Sequence, residues 1–194
     1  MANFNTIRYN NPYSAAGNLV KISSATASSD STISFTSGID STYKEYIFYF
    51  VNIHPSANGF FGFNASVDSG SNYNVTKTSS AFYAYHAESD SEAGLTYDTG
   101  QDLAQSTGRQ NLSSGQIGVG SDDSFNGCLY LFNPSSTTFV KHYISSSSYS
   151  QKGPANEQAY IAGYCNTTSA VNAIQFSQST GNIDSGTIIM YGVK

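Results

Sequence analysis

Tryptophan is absent from this chain of 194 residues, cysteine occurs twice, proline four times, and only 11% of the residues are charged. Average globular domains carry about a quarter charged residues, so Ser, Thr, Asn, Gly and Tyr must fill the surface instead. The eight Lys and Arg are outnumbered by 13 Asp and Glu, for a net charge of -5. No basic stripe exists to neutralise a phosphate backbone or an anionic leaflet, so neither nucleic acid nor a membrane surface is expected as a partner. No apolar run approaches the ~20 residues of a spanning helix. The opening MANFNTIRYNNPYS lacks an apolar core of signal-peptide length. Synthesis in a cytosol is expected, with Cys128 and Cys165 as reduced thiols rather than a bridge.

The common catalytic signatures are missing too. There is no GxSxG, no HExxH, no Gly-rich phosphate loop and no Cys/His spacing suited to zinc. His54 precedes a proline at a strand end, and His142 alternates with Val140 and Ile144, as structural or surface imidazoles do. Glu88, Asp90 and Glu92 lie close together as a glycosidase pair would, but the serines between them describe a solvated turn. Asp68-Ser69-Gly70-Ser71-Asn72 offers oxygens to a hard cation, yet Asp, Gly and Asn are also the ordinary turn formers. No cofactor, no metal and no enzymatic activity are expected.

What the chain does have is aromatic residues, 15 Tyr and 12 Phe, concentrated in strand-like runs. Tyr43 to His54 (YKEYIFYFVNIH) contains no Gly or Pro and reads as one long central strand. Alternation puts Ile47, Tyr49, Val51 and Ile53 on one face and Tyr46, Phe48 and Phe50 on the other. Both faces are apolar, so both are expected to be covered: one by the core, the other by a loop, the chain's own N-terminus or another subunit.

Around this strand the chain alternates between short strands and turns. Leu19–Ser23, Thr32–Thr36 (Ile33 and Phe35 inward), Phe60–Val67 and Thr76–His86 read as strands. The stretch 88–123 loosens into a long loop with short strands in it, with two helical turns expected over Asp98–Gln105. Cys128–Phe132 and Thr138–Ile144 form a hairpin about Asn133-Pro134, and Ser145–Asn156 reads as a Ser-rich loop. Gln158–Tyr164, Ala170–Phe176 and Gly186–Val193 close the domain, the last two meeting across Thr180-Gly181-Asn182. The pattern predicts an all-β, antiparallel, jelly-roll-like β-sandwich of about ten strands over 19–194. An extended N-terminal arm precedes it over 1–18.

Tyrosine serves surfaces that are apolar on one side and wet on the other, such as protein interfaces and sugar platforms. Tyr46, Phe48 and Phe50, with Tyr9 and Tyr13 on the arm, are the candidate interface residues. Tyr97 and Tyr149 are the candidate glycan or partner contacts.

Four segments, YKEYIFYFVNIHP, LYLFNPSSTTFVKHYIS, AGYCNTTSAVNAIQF and SGNIDSGTIIMYGV, together resemble short virion proteins of tailed bacteriophages, notably those of marine cyanobacteria. The resemblance spans about Ser24 to Val193, and SGTIIMYGV is its most specific part. It implies a virion structural protein, made in the host cytoplasm, in the tail or fibre adsorption apparatus. Its partners would be other virion proteins, further copies of itself (a trimer is favoured), and a host surface glycan. Two alternatives remain open, a capsid decoration protein and a carbohydrate-binding module.

Overall fold

The computed structural model describes residues 19–194, and the predicted arm with Tyr9 and Tyr13 lies outside them. Twelve strands and no helix make up the described residues. In chain order they are β1 Leu19–Thr26, β2 Ile33–Phe35, β3 Glu45–Pro55, β4 Phe61–Ser66, β5 Lys77–Ala87 and β6 Ala93–Tyr97. There follow β7 Gln110–Asn111, β8 Phe125–Phe132, β9 Lys141–Ser150, β10 Ala155–Cys165, β11 Ala173–Gln178 and β12 Ile183–Val193. All pairings are antiparallel.

The strands form two sheets, ordered β1-β12-β3-β8-β9-β10-β5-β6 and β2-β11-β4-β7. The first four strands of the larger sheet and the four of the smaller one interleave as a jelly roll does: β1 and β2, β3 and β4, β7 and β8, β11 and β12 are consecutive in sequence but lie in opposite sheets. β9, β10, β5 and β6 extend the larger sheet sideways beyond this frame. Consequently β11 and β12 do not form the expected hairpin, because the Thr180-Gly181-Asn182 turn carries the chain from one sheet to the other.

β3 is central, bonded to β12 on one side and β8 on the other. Tyr46, Phe48 and Phe50 point between the sheets, where Phe48 and Phe50 meet Phe176 of β11 at ring centroids 5.4 and 5.2 Å apart. Phe50 also packs edge-on to Phe61 at 5.2 Å. Each buried aromatic of this kind is worth about 1.5–3 kcal/mol of transfer free energy. The simple alternation fails at one point. The register shifts between Phe50 and Ile53, and Asn52 takes a φ of 52° there. This bulge returns Ile53 to the core side, so it joins Phe50 rather than Val51. Opposite it Gly186 has a φ of 108°, and a Cβ at that position would strike the Asn52 carbonyl.

One expected helical stretch and one expected loop differ in the structure. Asp98–Gln105 forms turns without a helix, tied to β5 by Ser79 N–H to Leu103 C=O at 2.9 Å. Ser145–Asn156 is largely strand: β9 runs to Ser150 and β10 starts at Ala155. The serines disguised it because those facing inward bring their own partners. Ser145 Oγ donates to Cys128 C=O at 2.9 Å and Ser147 Oγ to Leu112 C=O at 2.8 Å, which removes the desolvation cost of an unpaired hydroxyl.

Candidate interaction face

Tyr46, Phe48 and Phe50 are 0, 0 and 2% exposed, so they cannot form the interface assigned to them. The reason is the phase of β3: its aromatic positions face the second sheet. Tyr46 adds a local role, with its hydroxyl accepting from Asp40 N–H at 2.9 Å and donating to Asp40 C=O at 3.0 Å, which holds the turn before β3.

The face available to a partner is the outer face of the larger sheet. Cross-strand register lines up Lys21, Tyr191, Ile47, Tyr130, Ile144, Ala162 and Ser80 in one row. The neighbouring row runs Ser24, Ile189, Tyr49, Cys128, Ser146, Tyr160, Phe82 and Tyr97. Lys21 is the one charged residue in the two rows. No lid from the described residues covers this face. Ile47 is sheltered between Tyr191 and Tyr130, and Tyr49 stands edge-on to Tyr191 at 5.7 Å. Val51, Ile144, Phe82 and Tyr97 remain 43, 49, 43 and 53% exposed. Cross-strand pairs of aromatic and branched side chains hold such a face rigid, and its lack of charge makes it costly to leave wet.

Tyr97 is therefore surface-exposed, its hydroxyl donating to Asp102 at 2.8 Å. Tyr149 is not. It is buried, and its hydroxyl donates to Glu157 in a short bond while accepting from Ser114 and Gly115 N–H, both at 2.8 Å. Glu157 also accepts from Gln151 Nε2 at 2.8 Å. Burial raises the Glu157 carboxyl above its usual range, and burial beside that carboxyl drives the Tyr149 phenol far up. This network pins the 113–117 segment onto β9 and β10, a structural task that leaves no hydroxyl for a ligand.

The turn at Asp68 uses its oxygens internally. Its carboxylate accepts from Ser66 Oγ at 2.6 Å, Asn72 N–H at 2.8 Å and Asn72 Nδ2 at 2.7 Å, which lowers its pKa to about 2. Glu88, Asp90 and Glu92 are all exposed on the turn between β5 and β6. At one end of the sandwich a polar groove of about 440 Å³ is lined by Asn52, His54, Asp122, Asp123 and Asp184, among others. His54 Nδ1 lies 3.7 Å from Asp184 there. His86 lies 3.3 Å from Asp90, and the surface imidazole of His142 is exposed. Both cysteines are free.

Sequence reasoning missed two buried lysines. Lys77 and Lys141 flank Cys165 in register, and all three are fully buried. Lys77 Nζ donates to Asn64 Oδ1 at 2.8 Å and Val75 C=O at 3.0 Å, and Lys141 Nζ to Phe139 and Thr167 C=O at 2.9 and 3.0 Å. Neither ammonium has a carboxylate partner among the described residues. Desolvation lowers Lys77 to about 8, lowers Lys141 in the same direction, and pushes the Cys165 thiol up to about 11. Alternation in KTSSAF and KHYIS, with Lys in phase with an inward Ala81 or Tyr143, is the signal that marks them.

The fold and this face define an all-β jelly-roll sandwich with a sparsely charged, aromatic-rich side. No family model, curated protein or solved structure matches the chain.

Proposed function

We propose that this chain is a non-enzymatic structural protein of a tailed-bacteriophage virion, placed in the tail or fibre adsorption apparatus. It assembles there with other virion proteins and with copies of itself. The observation that carries the assembly reading is the outer face of the larger sheet, where two cross-strand rows hold six aromatic and four branched aliphatic or small apolar positions against a single charge. Contact through that face explains both the low charge of the chain and its wealth of tyrosine. Closed symmetry is the usual outcome of such contacts, and a trimer is favoured by the resemblance to phage virion proteins.

A capsid decoration protein would use the same fold and face, and copy number separates the two. Quantitative mass spectrometry of purified particles, scaled to the major capsid protein, should give a few to a few tens of copies for a tail or fibre component. Parity with the capsid protein replaces the tail reading with decoration, and absence from particles removes the virion reading altogether. The carbohydrate-binding alternative keeps Tyr97 but loses Tyr149 to the interior.

A further inference from the structure

The two sheets have four edges, and three of them are blunted. β2 spans three residues and β7 two, too short to template another strand. β1 carries Lys21 and a register shift between Lys21 and Ser23, features that discourage edge pairing. β6 has none of these protections. Ala93–Tyr97 (AGLTY) contains no Pro, no charge and no bulge, and every residue in it is exposed.

The hydrogen-bond phase shows what this edge offers. Ala87 N–H bonds to Glu92 C=O at 2.8 Å and Asp98 N–H to Ala81 C=O at 2.9 Å. In an antiparallel pair the bonded positions alternate, so the even residues of β6 are bonded to β5. Ala93, Leu95 and Tyr97 turn their N–H and C=O groups off the sheet. On the outer face Leu95 is 71% exposed, and Tyr97 stands beside Phe82, which stacks on Tyr160 at 5.0 Å. An added strand would continue this aromatic row.

Charge selects the occupant. Glu88, Asp90 and Glu92 precede the strand, Asp98 and Asp102 follow it, and no Lys or Arg occurs between Lys77 and Arg109. A second copy laid antiparallel with Leu95 opposite Leu95 would set Glu92 against Asp98 at both ends, and like charges directly opposite destabilise a pair. We propose that β6 is a strand-addition dock for an extended segment of another protein, alternately apolar and flanked by Lys or Arg. Main-chain bonds to Ala93, Leu95 and Tyr97 would supply affinity, and the acidic flanks would supply selectivity. This inference does not depend on the virion reading.

The test uses the full chain and two fluorescent nine-residue peptides with the same uncharged Thr/Val core, one ending in lysines and the other in glutamates. By fluorescence anisotropy at low salt, the lysine-flanked peptide should bind at least about tenfold more tightly than the glutamate-flanked one. Leu95→Pro removes an outward amide and spares the bonds to β5, so it should weaken that binding about tenfold or more. Glu88→Lys/Glu92→Lys changes only exposed side chains and cancels most of the acidic charge of the flanks, so it should collapse the preference between peptides to within about twofold. Binding on the native chain should also slow hydrogen exchange at Leu95 and Tyr97. The proposal is overturned by equal affinity of the native chain for the two peptides, or by a preference that persists undiminished in Glu88→Lys/Glu92→Lys. It is also overturned by binding that persists in a folded Leu95→Pro chain, or by a dimer of the native chain that Leu95→Pro dissolves.

Discussion

Raising the pH from 7.5 to 9.0 should stabilise this protein, and the cause is Lys77. Its ammonium group is fully buried with two neutral acceptors and no carboxylate partner among the described residues, and this desolvation lowers its pKa from 10.5 to about 8. Below pH 8 both the folded and the unfolded chain carry the proton, and folding bears the full cost of burying the charge, on the order of 3 kcal/mol. Between about 8 and 10.5 the folded chain loses this proton while the unfolded chain keeps it. Stability therefore rises with pH, at up to ~1.4 kcal/mol per unit for one proton. Cys165 acts in the opposite sense. Its thiol is raised from 9.0 to about 11, so above pH 9 the unfolded chain releases a proton that the folded chain retains, and stability falls. The two slopes largely cancel above pH 9, leaving a net gain of roughly 1 kcal/mol between 7.5 and 9.0. Urea unfolding at the two pH values should show it as an increase of about 0.5 M in midpoint, for an m-value near 2 kcal/mol/M. Lys141 is lowered in the same direction, so Lys77→Met should shrink the gain and Lys77→Met/Lys141→Met should abolish it. A midpoint that stays flat or falls in the native chain would refute the reasoning, as would an undiminished rise in the double variant.

Phe48→Ala should cost about 3–5 kcal/mol by chemical denaturation, because it empties a site packed against Phe35 at 5.5 Å and Phe176 at 5.4 Å. Tyr149→Phe removes the hydroxyl shared by Ser114, Gly115 and Glu157. It should destabilise the chain by about 1–3 kcal/mol and speed amide exchange at Ser114, whereas exchange unchanged there would contradict the pinning role of the network.

The frame was legible where apolar alternation is strong. Ile33 and Phe35 face inward as their period requires, and the long aromatic strand is central. Its misread positions have two origins. Alternation assigns residues to two faces but does not say which is the core, and nothing local announces the bulge at Asn52 that moves Ile53 across. Tyr46, Phe48 and Phe50 were assigned to a partner for that reason, although a second sheet of the same chain covers them. Serine hid β9, because a buried hydroxyl bonded to a carbonyl looks, in sequence, like a loop residue. Tyr149 was misplaced likewise: whether a tyrosine meets solvent or an internal carboxylate depends on Glu157, which reaches it only through the β9–β10 pairing. The buried lysines contradict the usual burial preference outright, and only their phase with inward neighbours reveals them.

β12 has a consequence for how the protein is made. It is the last of the described strands to be synthesised, yet it lies between β1, the first of them, and β3. Until Ile183–Val193 has been made, β3 has one side without its neighbour and β1 has no partner among the described strands. The frame cannot close locally as it emerges, and joining β1 to β12 costs the loop entropy of nearly the whole described span. Closure of the frame should therefore be slow, with the β3 edge open meanwhile to wrong pairings. Synthesis halted before Ile183 would release a chain whose most aromatic strand is left with a bare flank, a species prone to aggregate rather than to wait.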